Sequence, residues 1–189
     1  MTPGDRFFEA IENGTDPAEV RAAADRAANL LVRGARATDD PAVAERVLRL
    51  ADTEGIETIA EVWSGSPADS LAGCLWRLYL LRSWVYADPV GVAREFEAGQ
   101  RSAQVARVVA GVAEPPGPEQ LKAMVDQVLR GIAGSDFADV LLRAAAFARV
   151  VASGRASLSD PTEAEVQRML VLSEQLEAAG HAELGHGLA

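Results

Sequence analysis

Cysteine, lysine and histidine are nearly missing from this chain of 189 residues. The single cysteine, Cys74, excludes an internal disulfide and suits a reducing cytoplasm. The two histidines, His181 and His186, stand close to the C-terminal end, so acid–base work in the body of the chain would fall to carboxylates, tyrosine or Cys74. Lys122 is the one lysine among 18 basic residues. With abundant Ala, Gly and Val, that bias toward arginine points to a GC-rich bacterial genome. A surplus of cations is missing too: the net charge is −10, which argues against non-specific binding to DNA or RNA. Period-2 alternation and Asn-Gly hairpins between β-branched runs are absent, which removes the usual strand signals. No P-loop, G-x-G-x-x-G, G-x-S-x-G or C-x-x-C motif occurs. The opening residues MTPGDRFFEAIENG lack a basic start followed by an apolar run, so a secretory signal is not expected.

A long uninterrupted apolar run is also lacking. The nearest approach is Leu71 to Ala87, within SLAGCLWRLYLLRSWVYADP, and Arg77 and Arg82 divide it. An arginine at mid-bilayer costs about 2.5–3.5 kcal/mol even on the mildest scale, so no membrane span is expected. Half the residues are apolar and 24% are charged, the balance of a globular domain with a sizeable core. The charge is uneven. Residues 1–64 hold 13 acids and 7 bases, residues 65–113 hold 4 and 5, and residues 114–189 hold 11 and 6. A near-neutral, aromatic middle therefore lies between two acidic flanks, which fits a central segment covered by outer helices.

What is present is a grammar of helix starts. Asp16-Pro17, Asp40-Pro41, Asp88-Pro89 and Asp160-Pro161 each read as N-cap followed by first helical residue, with Glu19 and Glu163 three residues after their caps. Ser66-Pro67 and Gly117-Pro118 follow the same pattern, and Gly34, Gly134, Gly154 and Gly180 fall where helix stops belong. Between them apolar residues recur every three to four positions, as in Leu121, Val125, Val128 and Ile132. The expectation is an all-α fold: a single helical domain of eight to ten helices, an orthogonal bundle or, second, a degenerate α-solenoid. The helices are expected at 5–14, 17–34, 41–52, 56–64, 67–87, 89–99, 102–112, 118–133, 136–153 and 161–179. GVAEPPGPE, residues 111–119, divides an N-terminal part (1–113, with a central aromatic helix at 67–87) from a three-helix C-terminal part (114–189) packed on it. The four Asp-Pro pairs are separated by 24, 48 and 72 residues, but DPAEV, DPAVA, DPVGV and DPTEA share little beyond the cap.

Several groups are candidates for chemistry. The helix at 67–87 has large apolar residues on nearly every side and reads as buried all round. Arg77 and Arg82 lie about 140° apart around it, so they form no single basic face. Each covers the core with its stem and pairs with a neighbouring carboxylate, or else Trp76, Arg77, Tyr79, Arg82 and Trp84 line a pocket for an anionic ligand. Glu54, Glu57 and Glu61 share one helical face, but bundle metal sites add a Glu-x-x-His pair, and no histidine precedes residue 181. The face reads as solvated. His181 and His186, set among glycines, read as a frayed tail. Gly99 is expected to break the helix carrying Arg94 before Arg101. Phe7, Phe8 and Ile11 form an apolar edge that either packs on the domain or engages a partner. No catalytic residue, metal ligand or cofactor is assigned, and enzymatic activity is disfavoured.

EVWSGSPADSLAGCLWRLYLLRSWV, AGVAEPPGPE and FADVLLRAAAFARVVASGRA resemble in style uncharacterised helical proteins of high-GC actinobacteria, over about the last two-thirds of the chain. The resemblance implies a bacterial cytoplasmic location and carries no activity or functional residue with it. The function expected first is a non-enzymatic adaptor or homo-oligomer working through a protein partner or self-association. The alternatives are a small-ligand-binding regulatory domain built on the aromatic–arginine helix, and a carboxylate-dependent metal enzyme using Glu57 or Glu61.

Overall fold

The computed structural model describes residues 17–34, 56–101, 114–129, 137–158 and 162–188. Among them every regular element is an α-helix, so the fold is all-α. The helices are α1 (Pro17–Arg33), α2 (Ile56–Val62), α3 (Leu71–Ala87), α4 (Pro89–Arg101), α5 (Pro118–Leu129), α6 (Phe137–Ser157) and α7 (Glu163–His186). The expected helices at 5–14, 41–52 and 102–112, the Phe7/Phe8/Ile11 edge, and Asp16, Asp40, Asp160 and Gly134 lie outside the described residues.

The start signals work where they can be seen. Pro89 and Pro118 open α4 and α5, and the Asp88 carboxylate accepts from the Gly91 amide at 2.9 Å. Two starts move. Pro67 does not open α3: Ser66–Ser70 forms turns, and Ser70 caps the helix by accepting from the Gly73 amide at 3.1 Å. The last helix is capped at Thr162, whose partner three residues on is Glu165. That carboxylate accepts from the Thr162 amide at 3.2 Å and from its hydroxyl at 2.8 Å.

The stop signals divide more sharply. Gly34 ends α1 in the left-handed region, with φ 74°, as a stop glycine should. Gly99, Gly154 and Gly180 instead sit inside helices. At Gly154 an added Cβ would stand 1.7 Å from the Glu95 carbonyl oxygen, and at Gly99 it would stand 1.9 Å from that of Val150. These two glycines are where the backbones of α4 and α6 touch. Gly180 similarly faces the Leu142 side chain. A contact glycine and a stop glycine look alike in sequence, so α6 and α7 run longer than expected. The C-terminal residues are not frayed: α7 reaches His186, and Leu188 beyond it is buried.

Helix α6 is the most enclosed element. Ala144, Ala145, Ala146, Ala148, Val150, Val151 and Ala152 are all buried. Small residues let neighbours approach closely, and α6 packs most extensively on α7 and then on α4. Phe96 and Phe147 stack across the α4–α6 crossing at 5.4 Å between ring centroids. Ser173, fully buried, donates to the Ala145 carbonyl at 2.9 Å, and Arg149 reaches from α6 to Glu177 at 2.8 Å. Leu71, Leu75, Leu78 and Val85 of α3, Leu121 and Val125 of α5, and Leu176 of α7 join the same core. That core includes residues from both sides of segment 111–119.

Candidate functional site

Helix α3 is apolar nearly all round, yet it is not buried all round. Its inward arc carries Cys74, Leu78, Leu81 and Val85, each 2% exposed or less. Its outward arc carries Trp76, Leu80, Ser83 and Ala87, spaced by four, three and four residues. Trp76 and Ser83 are half-buried, Leu80 is 43% exposed, and Ala87 is exposed. Tyr79 stacks on Trp76, with ring centroids 5.7 Å apart and planes 25° from parallel, and Tyr86 continues that flank at 49% exposure. Apart from the Ser83 hydroxyl, these side chains form a largely apolar stripe along the outside of the molecule.

The two arginines border the stripe on opposite sides. Arg77 turns toward α7, donating from Nε to Gln175 at 2.7 Å and from Nη1 to the Gly73 carbonyl at 2.9 Å. Arg82 turns toward α5 and forms an ion pair with Asp126. The other Asp126 oxygen accepts from the Tyr86 hydroxyl at 2.9 Å. That bond pushes the Tyr86 phenol above its ordinary range. The Tyr86 ring also lies beneath Arg82 at 4.6 Å and Lys122 at 4.7 Å, and Lys122 in turn pairs with Glu119 at 2.8 Å. Trp84, on the Arg77 side, receives the guanidinium of Arg155 at 5.1 Å. Arg155 is itself held by both oxygens of Glu95 at 3.0 and 2.9 Å.

Of the five aromatic and arginine residues singled out in sequence, the structure thus brings Trp76 and Tyr79 together on the outside. It sends Arg77 and Trp84 to one side and Arg82 to the other. Leu80, Ser83, Ala87 and Tyr86 complete the stripe and were not singled out. Their signal was the 76/80/83/87 spacing, hidden because every side of this helix is apolar.

The other candidates separate from this face. Cys74 is buried, lies 3.4 Å from the Ala68 carbonyl, and burial pushes its thiol up to about 12. Glu57 and Glu61 are exposed. Among the described residues no three His, Cys, Asp or Glu side chains gather as a metal site would need. Nor is any described helix long and apolar enough to cross a membrane. No family model, curated protein or solved structure matches the chain.

Proposed function

We propose that this chain is a non-enzymatic helical interaction domain, an adaptor or homo-oligomer of the bacterial cytoplasm, and that the outer face of α3 is its docking surface. The observation that supports this reading is the pairing of an exposed apolar stripe with internally satisfied edges. Arg77 and Arg82 donate to groups of their own chain. Covering the stripe would remove Trp76, Tyr79 and Leu80 from water without stranding the guanidinium groups that border it. Tryptophan, tyrosine and arginine are the residue types enriched among the anchors of protein interfaces, and here Trp76 and Tyr79 lie in the stripe with Arg77 and Arg82 at its edges. A ligand anion would instead have to compete with Asp126 for Arg82.

Native mass spectrometry of the purified protein tests the reading, because oligomer mass and any retained small molecule are read together. A dimer, or a monomer that forms a complex lost on Leu80→Lys, supports it. A monomer carrying a tightly retained anionic metabolite, released by Arg82→Gln and not by Leu80→Lys, overturns it in favour of a ligand-binding domain.

A further inference from the structure

Resting on that reading, we infer that the occupant of the α3 face is a second copy of this chain, paired helix to helix in antiparallel order about a two-fold axis between Leu81 and Arg82. The stripe is its own complement. The spacing 76, 80, 83, 87 reads the same in both directions, with large side chains in the first half and small ones in the second. A two-fold pairing sets each surface against itself reversed. Trp76 then lies over Ala87 of the second copy, and Leu80 over Ser83 of the second copy. Each large residue meets a small one, as ridges meet grooves between helices about 8–10 Å apart. On the flank the same operation brings the Tyr79 and Tyr86 edge of one copy against the same edge of the second.

Charge points the same way. The chain carries −10, yet α3 contains no Asp or Glu, and Arg82 is neutralised by Asp126. Pairing two copies through α3 therefore brings no carboxylate of that helix against another. Two polar groups at the rim already have partners, the Tyr86 hydroxyl on Asp126 and Arg77 on Gln175, so closing the interface strands neither of them. One helix face offers less than the roughly 800 Å² per partner of a standard interface, so the dimer dissociates on dilution, with a Kd on the order of micromolar.

Sedimentation equilibrium from about 1 µM to about 1 mM, at low and high salt, tests this. The expected result is a monomer–dimer equilibrium that tightens as salt screens the two acidic bodies. Leu80→Lys should weaken it by at least about 30-fold. Its thermal melt should stay close to wild type, because Leu80 is already 43% exposed. Register is read separately with Leu80→Cys and Ser83→Cys variants. Mixed under oxidising conditions they should form a disulfide-linked heterodimer faster than either variant cross-links alone. A protein that stays monomeric at about 1 mM, a dimer indifferent to Leu80→Lys, or equal cross-linking by each variant alone would overturn the proposal. If that monomer still forms a Leu80-dependent complex with another protein, the interaction role stands and only the second copy is refuted. If it forms none, both fall.

Discussion

Replacing Gly154 by alanine should destabilise this protein, although Gly154 lies inside a helix where alanine is the better residue. On propensity alone, Gly→Ala in a helix interior gains about 0.5–1 kcal/mol. At Gly154 the new Cβ would stand 1.7 Å from the Glu95 carbonyl oxygen and 2.7 Å from the Gly99 nitrogen. Both are backbone atoms, so no rotamer change relieves the contact. Ordinary carbon–oxygen contact is about 3.3 Å, so α4 and α6 must part by roughly 1.5 Å. That separation would loosen the Phe96–Phe147 stack and stretch the Glu95–Arg155 pair. Overpacking of this kind costs about 1–3 kcal/mol or more, which exceeds the propensity gain. We expect a net loss of about 1–2 kcal/mol, lowering Tm by roughly 2–8 °C for a chain of this length. The control is Gly185→Ala, also inside a helix but with nothing within 4 Å of its Cβ. Because it lies in the last turn of α7, it should gain part of the propensity term and lose nothing to overpacking. Paired denaturant or thermal melts decide the matter. If Gly154→Ala stabilises the protein as much as Gly185→Ala does, the close crossing of α4 and α6 is refuted.

Three further outcomes are expected. Arg33 of α1 grips Glu183 of α7 with both terminal nitrogens, and Glu183 also accepts from the Leu188 amide at 2.7 Å. These bonds hold the Glu183 carboxyl below the usual carboxylate range. Because its folded pKa is depressed, its contribution is present above about pH 4.3 and fades as pH falls through the folded value. Glu183→Gln should therefore cost about 1–2 kcal/mol at pH 7, and the gap to wild type should narrow progressively in melts as pH falls below about 4.3. Cys74, with its thiol pushed up to about 12, should resist thiol reagents at neutral pH in the native protein and react only on unfolding. Its folded pKa is raised, so the associated stability is full below the free-thiol value of about 8.5 and is lost progressively above it. Trp63, fully buried, donates from Nε1 to the Ala24 carbonyl at 3.2 Å, tying α1 to the turn after α2. Trp63→Phe should cost about 1–2 kcal/mol for the lost bond and volume, and Trp63→Ala about 3–5 kcal/mol, measured by urea unfolding.

The helical fold class was legible because its signals are local. Asp88, Pro89 and Pro118 act through their own backbone neighbours, so sequence order alone places them. The signals that misled are those whose meaning depends on what lies across the interface. Gly154 and Gly180 satisfy the sequence requirement for a helix stop, but their missing side chains serve Glu95 and Leu142 on other helices. Ser66-Pro67 obeys the start grammar, yet Ser70 lies nearer the apolar run and takes the cap. The last helix takes its cap at Thr162, whose amide and hydroxyl both donate to the Glu165 carboxylate. The glycines near the C-terminus suggested fraying, whereas Arg33, more than a hundred residues earlier, holds that end through Glu183.

The α3 face failed to declare itself for a related reason. A helix that is apolar on every side can be the centre of a core, or it can bury one side and keep another for a partner, and periodicity does not separate the two. The arginines do. A guanidinium needs a polar partner or water, so it settles where the helix leaves the core. Arg77 and Arg82, about 140° apart, therefore mark the two edges of the buried arc rather than two unrelated charges in a buried run. Between them on the inner side lie Cys74, Leu78, Leu81 and Val85, all sealed. On the outer side lie Trp76, Leu80, Ser83 and Ala87, all with access to solvent. The same two residues that argued against a membrane span thus locate the surface on which the proposed association depends. Moving that edge should move the surface. Leu80→Arg, which sets a third guanidinium in the middle of the outer arc, should leave the fold intact and abolish association, while Leu78→Arg, on the sealed arc, should prevent folding altogether.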